Sequence, residues 1–378
     1  MERITPPDFA EFRRYPDEMA LPVDLRRLPG RWWPRRRPLR AVHTNAVLHD
    51  APSPRARLLG RGTRLTIKPL LRVVPIHDRM FARLRSIERY KPRVPNEGIT
   101  SESIDLGGVR AEHMQPADGR TSDVTILYFH GGGFFTGSVE SHRSLCERLV
   151  METGGVVVSV DYVLLPDGTV ADAVDEAITA YEALLAEVEH PDKIVVGGDS
   201  AGGYLTMKVG ELATRRGIQP PAGLIGFSPL LSLDPERTDK NVVRVSPMRD
   251  AYLPISRVAT MRELWLPEGA VIEGFASPLH ASAYIQSPVH LVAVEDEMLR
   301  PEVEAFALLL TDKGVEVETH LWRGQLHAFV SLVDIVPDAE FALTLAAEFA
   351  RRCVGEQPEQ SVVDAAADDE EISGHLAG

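Results

Sequence analysis

Short apolar runs separated by amphipathic segments make up most of the chain after residue 100. Eight of these runs have the length and β-branched composition of buried strands, near residues 103–107, 110–115, 124–129, 156–161, 193–197, 222–228, 289–294 and 315–321. Five other segments repeat apolar residues at helical spacing, near residues 142–153, 170–188, 201–216, 301–313 and 338–352. From Val156 onward strands alternate with helices, which predicts a mainly parallel sheet flanked by helices. We expect the ligand site of such an α/β fold at the carboxyl ends of its strands.

Three segments lie outside this alternation. They are residues 1–100, residues 231–285 between the sixth and seventh strands, and the tail at 355–378. The tail is acidic and polar, so we expect it to be disordered. The remaining stretch, 101–354, has the length of one α/β domain with an insertion.

Charge is distributed unevenly along the chain. Residues 1–95 contain 22 Lys and Arg against 9 Asp and Glu, although the net charge of the whole chain is −14. We therefore expect the basic N-terminal part to dock on the acidic remainder. Alternatively, Arg35-Arg36-Arg37 beside Trp32-Trp33 forms a patch for a membrane surface or a partner, although Pro34 and Pro38 interrupt any amphipathic helix there.

Composition excludes several classes of protein. No apolar run approaches about 18 residues, and the N-terminus lacks the apolar core of a signal peptide. The two cysteines, Cys146 and Cys353, do not have the spacing of a metal or redox site, and no phosphate loop or nucleotide fingerprint is present. We therefore expect a cytoplasmic protein without disulfides, cofactor, bound metal, transmembrane segment or nucleic-acid partner.

The first chemical motif is a nucleophile elbow, Gly198-Asp199-Ser200-Ala201-Gly202. It follows the apolar run 193–198 and opens the helix predicted at 201–216. Such a corner holds Ser200 in a strained conformation at the head of a helix, and Gly198 and Gly202 allow backbone to pass close by. The strand before and the helix after this motif favour a reactive serine over a chance match.

The second motif is a glycine-rich loop, His130-Gly131-Gly132-Gly133-Phe134, which follows the strand predicted at 124–129. Consecutive glycines can turn several N–H groups toward one point, as an oxyanion hole requires. A plain turn seldom needs three glycines, so this loop indicates acyl-transfer chemistry together with the serine.

These motifs resemble the hormone-sensitive-lipase-like family of α/β-hydrolases over about residues 127–329. The likeness rests on HGGGF-x-x-G at 130–137, GDSAGG at 198–203, S-P-L at 228–230, D-Y-V-L-L-P at 161–166 and Q-L-H-A-F at 325–329. The chain departs from the family pattern at three positions: Val163 replaces an arginine, Tyr204 an asparagine and Ala328 a glycine. The resemblance implies an α/β-hydrolase fold, with a lid formed by residues 1–100 and part of 231–285. It also implies that His130 shapes its loop.

The base and the acid come from the end of the chain. Among twelve histidines, His327 lies in a polar loop after the strand at 315–321 and matches the family motif, so we expect it to be the general base. The acid should follow the strand at 289–294. Glu297 fits the family pattern D-x-L-x-x-E with Glu in place of Asp, and Asp296 is the alternative, which would require a one-residue bulge.

The resulting hypothesis is a serine carboxylesterase acting on short- to medium-chain acyl esters, without a cofactor. Ser200 is the expected nucleophile, Gly132, Gly133 and Ala201 the oxyanion donors, and Phe134 and Tyr204 the residues of the substrate pocket. His130, Gly131, Gly198, Asp199 and Gly202 are expected to shape the two motifs. The same machinery suits an amide or N-acyl hydrolase or an acyltransferase. A binding protein on this fold is a further alternative, but such proteins typically lose the histidine or the acid.

Overall fold

The structure is a computed structural model that describes residues 45–73, 81, 83, 85–86, 96–233 and 250–356. Within these residues, nine strands form one sheet: β1 (Ala46–His49), β2 (Ile99–Leu106), β3 (Val109–Pro116), β4 (Thr125–Phe129), β5 (Val156–Val160), β6 (Ile194–Asp199), β7 (Gly223–Phe227), β8 (Val289–Val294) and β9 (Val317–Trp322). The helices are α1 (Pro54–Leu65), α2 (Ile67–Val73), α3 (Val139–Thr153), α4 (Val170–Glu187), α5 (Ala201–Arg216), α6 (Val258–Trp265), α7 (Arg300–Asp312) and α8 (Pro337–Cys353). The expected α/β-hydrolase fold is therefore confirmed.

The strand order across the sheet is β1-β9-β8-β7-β6-β4-β5-β3-β2. All neighbours pair in parallel except β2 with β3 and β3 with β5. Because β9, β8, β6 and β4 run in the same direction, the segments that leave their carboxyl ends meet at one edge of the sheet. All four segments that carry the sequence motifs and the candidate base and acid leave the sheet at this edge.

Burial on both faces explains why the central strands read as continuous apolar runs. Every residue of β4, β5, β6, β7 and β8 is buried, as expected for parallel strands covered by helices on both sides. Two of the flanking helices, α3 and α4, begin at reciprocal side-chain caps. Ser138 and Ser141 form a reciprocal capping box at α3, and Thr169 and Asp172 form another at α4.

Strand β1 was not predicted from the sequence. It pairs in parallel with β9, with Ala46 opposite Thr319 and His49 opposite Trp322. Only four residues long and partly exposed, β1 gives a weak local signal, and its pairing partner lies about 270 residues away. The segment 1–100, which we assigned to the lid, therefore contributes an edge strand to the sheet at residues 46–49.

Several sequence predictions concern residues outside the described ranges. They include Trp32-Trp33, Arg35–Arg37 and the tail beyond residue 356. Of the insertion predicted at 231–285, the described part contains α6 and short 3₁₀ turns. Among the described helices, none combines the length and apolar composition needed to cross a membrane.

Candidate active site

Ser200 occupies the corner between β6 and α5. Its backbone has φ 50° and ψ −113°, a region that non-glycine residues rarely adopt and that stores strain. Three backbone hydrogen bonds hold this corner: Ser200 N–H donates to Phe227 O at 2.9 Å, and Ser200 O accepts from Leu230 N–H at 2.9 Å and from Tyr204 N–H at 3.1 Å. A Cβ on Gly202 would overlap the carbonyl oxygen of Phe129, and one on Gly198 would overlap the backbone of Gly202. The two glycines of the elbow are therefore required by close backbone approach.

His327 and Glu297 complete a chain of hydrogen bonds that begins at Ser200. His327 Nε2 lies 2.8 Å from Ser200 Oγ, and His327 Nδ1 lies 2.9 Å from Glu297 Oε2. An ionised carboxylate only accepts hydrogen bonds, so Nδ1–H donates to Glu297, which leaves Nε2 of the neutral ring free to accept the Ser200 proton. Glu297 Oε1 accepts from Val294 N–H at 2.8 Å, which fixes the carboxylate at the end of β8.

The structure therefore places Glu297, and not the alternative Asp296, against His327. This agrees with the sequence alignment in which Glu297 takes the first position of the family pattern D-x-L-x-x-E. Glu297 is almost fully buried at 1% exposure, so its charge acts on the ring with little screening by solvent.

The electrostatic environment of His327 combines two opposing effects. Burial lowers the pKa of His327, whereas the hydrogen bond and charge of Glu297, with the charges of Asp250 and Asp199, raise it. The second effect is larger, so the pKa of His327 lies above its ordinary value of 6.5. The site therefore favours the imidazolium that forms after proton transfer.

Asp250 is a buried carboxylate beside Ser200, His327 and Glu297, and it was not predicted from the sequence. Its Oδ2 accepts from Met298 N–H at 3.0 Å, and its Oδ1 accepts from the N–H groups of Tyr252 and Leu253, each at 2.8 Å. Lys68 of α2 donates to the carbonyl oxygen of Asp250. Asp250 thus joins the loop of Glu297 to α2 and to the segment that enters α6. No motif surrounds Asp250, so nothing in the neighbouring residues indicates its role.

Asp199 connects the elbow to the glycine-rich loop. Its Oδ1 accepts from Gly131 N–H at 2.9 Å and from the Tyr128 hydroxyl at 3.0 Å, and it lies 3.3 Å from His142 Nε2. Burial raises the pKa of Asp199, but the charge and hydrogen bond of His142 outweigh it, so this pKa lies below its usual value. Asp199 therefore remains ionised and holds the loop next to Ser200.

His130 packs within the glycine-rich loop. Its Nδ1 lies 2.8 Å from Gly131 O, and its ring stacks on Tyr162 at 4.4 Å, whose hydroxyl donates to His130 O. Burial, with the nearby His142, lowers the pKa of His130 to about 4, so the ring is neutral at pH 7. These contacts support the structural role implied for His130.

The conformation of the loop depends on glycine. Gly132 and Gly133 have φ of 125° and 65°, and Phe134 follows with φ 66°. The amide of Gly131 is already bonded to Asp199, which leaves Gly132 and Gly133 as the loop's candidate oxyanion donors. Ala201 is the first residue of α5, where N–H groups point outward and the helix dipole favours negative charge.

Phe134 and Tyr204 do not line an open pocket, contrary to our expectation. Both side chains have 0% exposure and meet edge to face at 5.5 Å. The Tyr204 hydroxyl donates to Ala276 O at 2.9 Å, and Phe134 also packs against Trp265 of α6. The two rings therefore pack against each other and against residues of the insertion.

Two other departures from the family pattern have local consequences. Ala328 replaces glycine with φ 51° and ψ 39°, so a residue with a Cβ occupies the left-handed region next to His327. Its N–H donates to Ser228 Oγ at 3.3 Å, which ties this strained turn to the S-P-L segment. Val163, which replaces arginine, donates its N–H to Glu176 Oε2 at 2.6 Å.

Comparisons with known proteins agree with this geometry. Residues 126–331 match a protein-family model described as the α/β-hydrolase fold. The carboxylesterase/phospholipase LipF of Mycobacterium tuberculosis is 30% identical over 321 residues, 81% of this chain and 83% of that protein. An acetyl-hydrolase of Streptomyces hygroscopicus is 28% identical over 272 residues, 71% of this chain and 89% of that protein. The crystal structure of the hormone-sensitive-lipase homologue EstE7, from a metagenome library, is 26% identical, covers 80% of this chain and all of that one, and superposes with a TM-score of 0.68.

Proposed function

Since the chain belongs to the hormone-sensitive-lipase-like family of α/β-hydrolases and is a serine carboxylesterase, we propose that it cleaves short- to medium-chain acyl esters on Ser200. The observation that carries this proposal is the hydrogen-bonded chain Ser200–His327–Glu297 beside the glycine-rich loop. The relative named as an acetyl-hydrolase supports a small acyl group.

The proposed reaction has two halves. Ser200 Oγ attacks the ester carbonyl carbon while its proton moves to His327 Nε2, and the N–H groups of Gly132, Gly133 and Ala201 bind the oxyanion. Collapse of the tetrahedral intermediate breaks the bond to the alcohol, which takes the proton from His327 and leaves an acyl-enzyme. Water then repeats the attack with His327 as base, releases the carboxylic acid and restores Ser200. Glu297 keeps its hydrogen bond to His327 Nδ1–H throughout and stabilises the imidazolium.

The insertion at 231–285 is proposed as part of the lid over this site. Trp265 Nε1–H of α6 donates to Gly133 O at 2.7 Å, so this helix lies directly on the glycine-rich loop. Met261 Cε is 3.6 Å from the position that a Cβ on Gly133 would take. Both side chains limit the space next to the proposed oxyanion donors, which favours small acyl groups.

Chain-length preference tests this proposal. The substrates are the p-nitrophenyl esters of acetate, butyrate, octanoate and palmitate. We expect the highest kcat/KM for one of the three shorter esters and a much lower kcat/KM for palmitate. The p-nitroanilide of butyric acid should react far more slowly than the ester. A maximum at palmitate would contradict the small acyl pocket, and faster cleavage of the anilide would favour the amidase alternative.

We also propose peripheral contact with an anionic membrane, through the surface of α1 and α2. Residues 51–73 contain no acidic residue, and five arginines of this stretch are exposed: Arg55, Arg57, Arg61, Arg64 and Arg72. Apolar side chains stand among them, with Leu65 77% exposed, Val73 73% and Leu70 56%. Basic charge together with exposed aliphatic side chains is typical of segments that lie on anionic lipid.

Vesicle binding tests the membrane contact. We expect sedimentation with vesicles of phosphatidylcholine and phosphatidylglycerol, little with phosphatidylcholine alone, and weaker binding at high salt. Leu65→Glu should reduce binding, whereas Val271→Glu, which places the same charge at an exposed position outside this surface, should not. Equal binding to neutral vesicles, or an unchanged affinity of Leu65→Glu, would exclude this surface.

A cytoplasmic location remains a prediction. Both cysteines are free thiols in the structure, which supports a reducing compartment.

A further inference from the structure

A second cluster of titratable side chains lies on the sheet, away from the serine. His290 of β8 and Glu318 of β9 are register partners across the two strands, and His320 follows two residues later on β9. Side chains two residues apart on a strand lie on the same face. One potential ligand atom from each of these three residues lies within 4.8 Å of the others.

The distances within this cluster suit a small metal ion. His290 Nδ1 is 3.3 Å from Glu318 Oε2. Tetrahedral zinc with bonds of about 2.0 Å places neighbouring ligand atoms about 3.3 Å apart. The rings of His290 and His320 stand 4.8 Å apart between centroids, so a second imidazole lies beside the same pair of ligand atoms.

His49 provides the partner that a ligating histidine usually has. His49 Nε2 lies 3.0 Å from His320 Nδ1, and the His49 ring is stacked on Trp322 at 3.8 Å. A histidine that binds metal through one ring nitrogen normally bonds through the other, which fixes its tautomer and orientation. This contact leaves His320 Nε2 to bind a metal ion.

One buried atom in the cluster has no partner. Within the described residues, Nε2 of His290 has no hydrogen-bond partner although its side chain is fully buried. Because Nε2 has no bond to lose, the ring can carry its proton there and leave the lone pair of Nδ1, the atom next to Glu318 Oε2, for a metal ion.

We propose that His290, Glu318 and His320 bind a divalent transition-metal ion, zinc fitting best, and that His49 positions His320. Two imidazoles and a carboxylate are ligands that zinc accepts. The ion would join β8 to β9, the strands whose carboxyl ends lead to Glu297 and His327. His49 and His290 are far in the sequence from the pair Glu318 and His320, so no local spacing could indicate the site.

The test uses the full chain, treated with a chelator and then dialysed. Isothermal titration with Zn²⁺ should give one saturable site, and Zn²⁺ should raise the midpoint of thermal unfolding, an effect that chelator reverses. His290→Gln and Glu318→Gln should lose this site, and His49→Gln should weaken it by about 10–100-fold. His190→Gln, at an exposed position outside the cluster, is the matched control and should bind as the unchanged chain does.

A second variant separates this site from the proposed triad, which also contains a histidine and a carboxylate. Binding that survives in His327→Gln but disappears in Glu318→Gln supports the proposal, whichever esters the protein cleaves. Loss in His327→Gln alone, or no saturable binding to the unchanged chain, overturns it. If the cluster variants do not fold, X-ray absorption of the unchanged chain with Zn²⁺ decides: two imidazoles and a carboxylate are expected, and a single imidazole overturns the assignment.

Discussion

Replacing Ser200 with alanine is expected to reduce kcat for ester hydrolysis by roughly 10⁴–10⁶-fold. Without Oγ no acyl-enzyme can form, and the remaining rate comes only from water activated by His327 next to the oxyanion donors. Alanine fits the same backbone corner, because Gly198 and Gly202 provide the clearance and the three backbone hydrogen bonds of Ser200 are retained. The measurement is kcat with p-nitrophenyl butyrate, together with the midpoint of thermal unfolding.

The matched control is Ser103→Ala, which replaces an exposed serine on the edge strand β2. This variant should keep the full rate. A serine-directed phosphonate should label the unchanged chain once, on the peptide that contains Ser200. A folded Ser200→Ala protein with near-native turnover would remove Ser200 from the mechanism, and labelling of another serine would identify its replacement.

Local patterns in the sequence predicted most of the sheet because each strand from β4 to β8 is buried on both faces. Burial of that kind leaves a continuous apolar run in the sequence, and the alternation with helices then fixes the parallel direction. Strand β1 is different. Its four residues are partly exposed and are defined by pairing with β9, a contact between distant parts of the chain that no local pattern reports.

The residues of the candidate site also fall into those that a local motif predicts and those that only the folded structure brings together. Ser200, His327 and the glycine-rich loop stand in motifs whose backbone needs specific residues, so their positions could be predicted. Asp250 could not be predicted, because its importance comes only from folding next to Met298 and Lys68. The pocket assignment of Phe134 and Tyr204 was wrong for a related reason: their burial depends on Ala276 and Trp265, which the chain brings in from the insertion.

The choice between Asp296 and Glu297 also needed three-dimensional information. Three adjacent acidic residues, Glu295, Asp296 and Glu297, follow β8, and a shift of one residue in the turn would exchange Asp296 and Glu297. The hydrogen bond from Val294 N–H to Glu297 Oε1 sets the turn, so that the longer Glu side chain reaches His327 Nδ1.

Replacing Glu297 with glutamine is expected to lower turnover by as much as about 10⁴-fold while Ser200 and His327 remain in place. An amide can donate a hydrogen bond to Nδ1, which favours the tautomer that carries the proton on Nε2 and cannot accept the Ser200 proton. The imidazolium also loses its charged partner in a buried site. The measurement is kcat for a p-nitrophenyl ester, with Asp296→Asn as the matched control, which we expect to be mild.

The pH dependence gives a second readout of the same contact. His327 acts as a base only when neutral, so kcat/KM rises with pH through its pKa, which lies above 6.5 in the unchanged chain. Without Glu297 the largest remaining effect is burial, which lowers this pKa, so the acid limb of the Glu297→Gln profile should move to lower pH. The stability that the His327–Glu297 pair contributes is complete below about pH 6.5, the unfolded pKa, and is lost as pH rises through the raised folded value. The difference in unfolding free energy between the two proteins should therefore shrink from pH 5 to pH 8.

These two readouts separate the orienting role of Glu297 from a merely structural one. A variant that loses only stability would lower activity because less of the protein is folded. The pH midpoint of the acid limb of its kcat/KM profile would not change. A severe loss confined to Asp296→Asn would show that the other carboxylate is the acid. If Glu297→Gln keeps both its rate and its pH profile, the charge that holds His327 must come from elsewhere. Asp250 would then be the next residue to replace, since its charge also raises the pKa of His327.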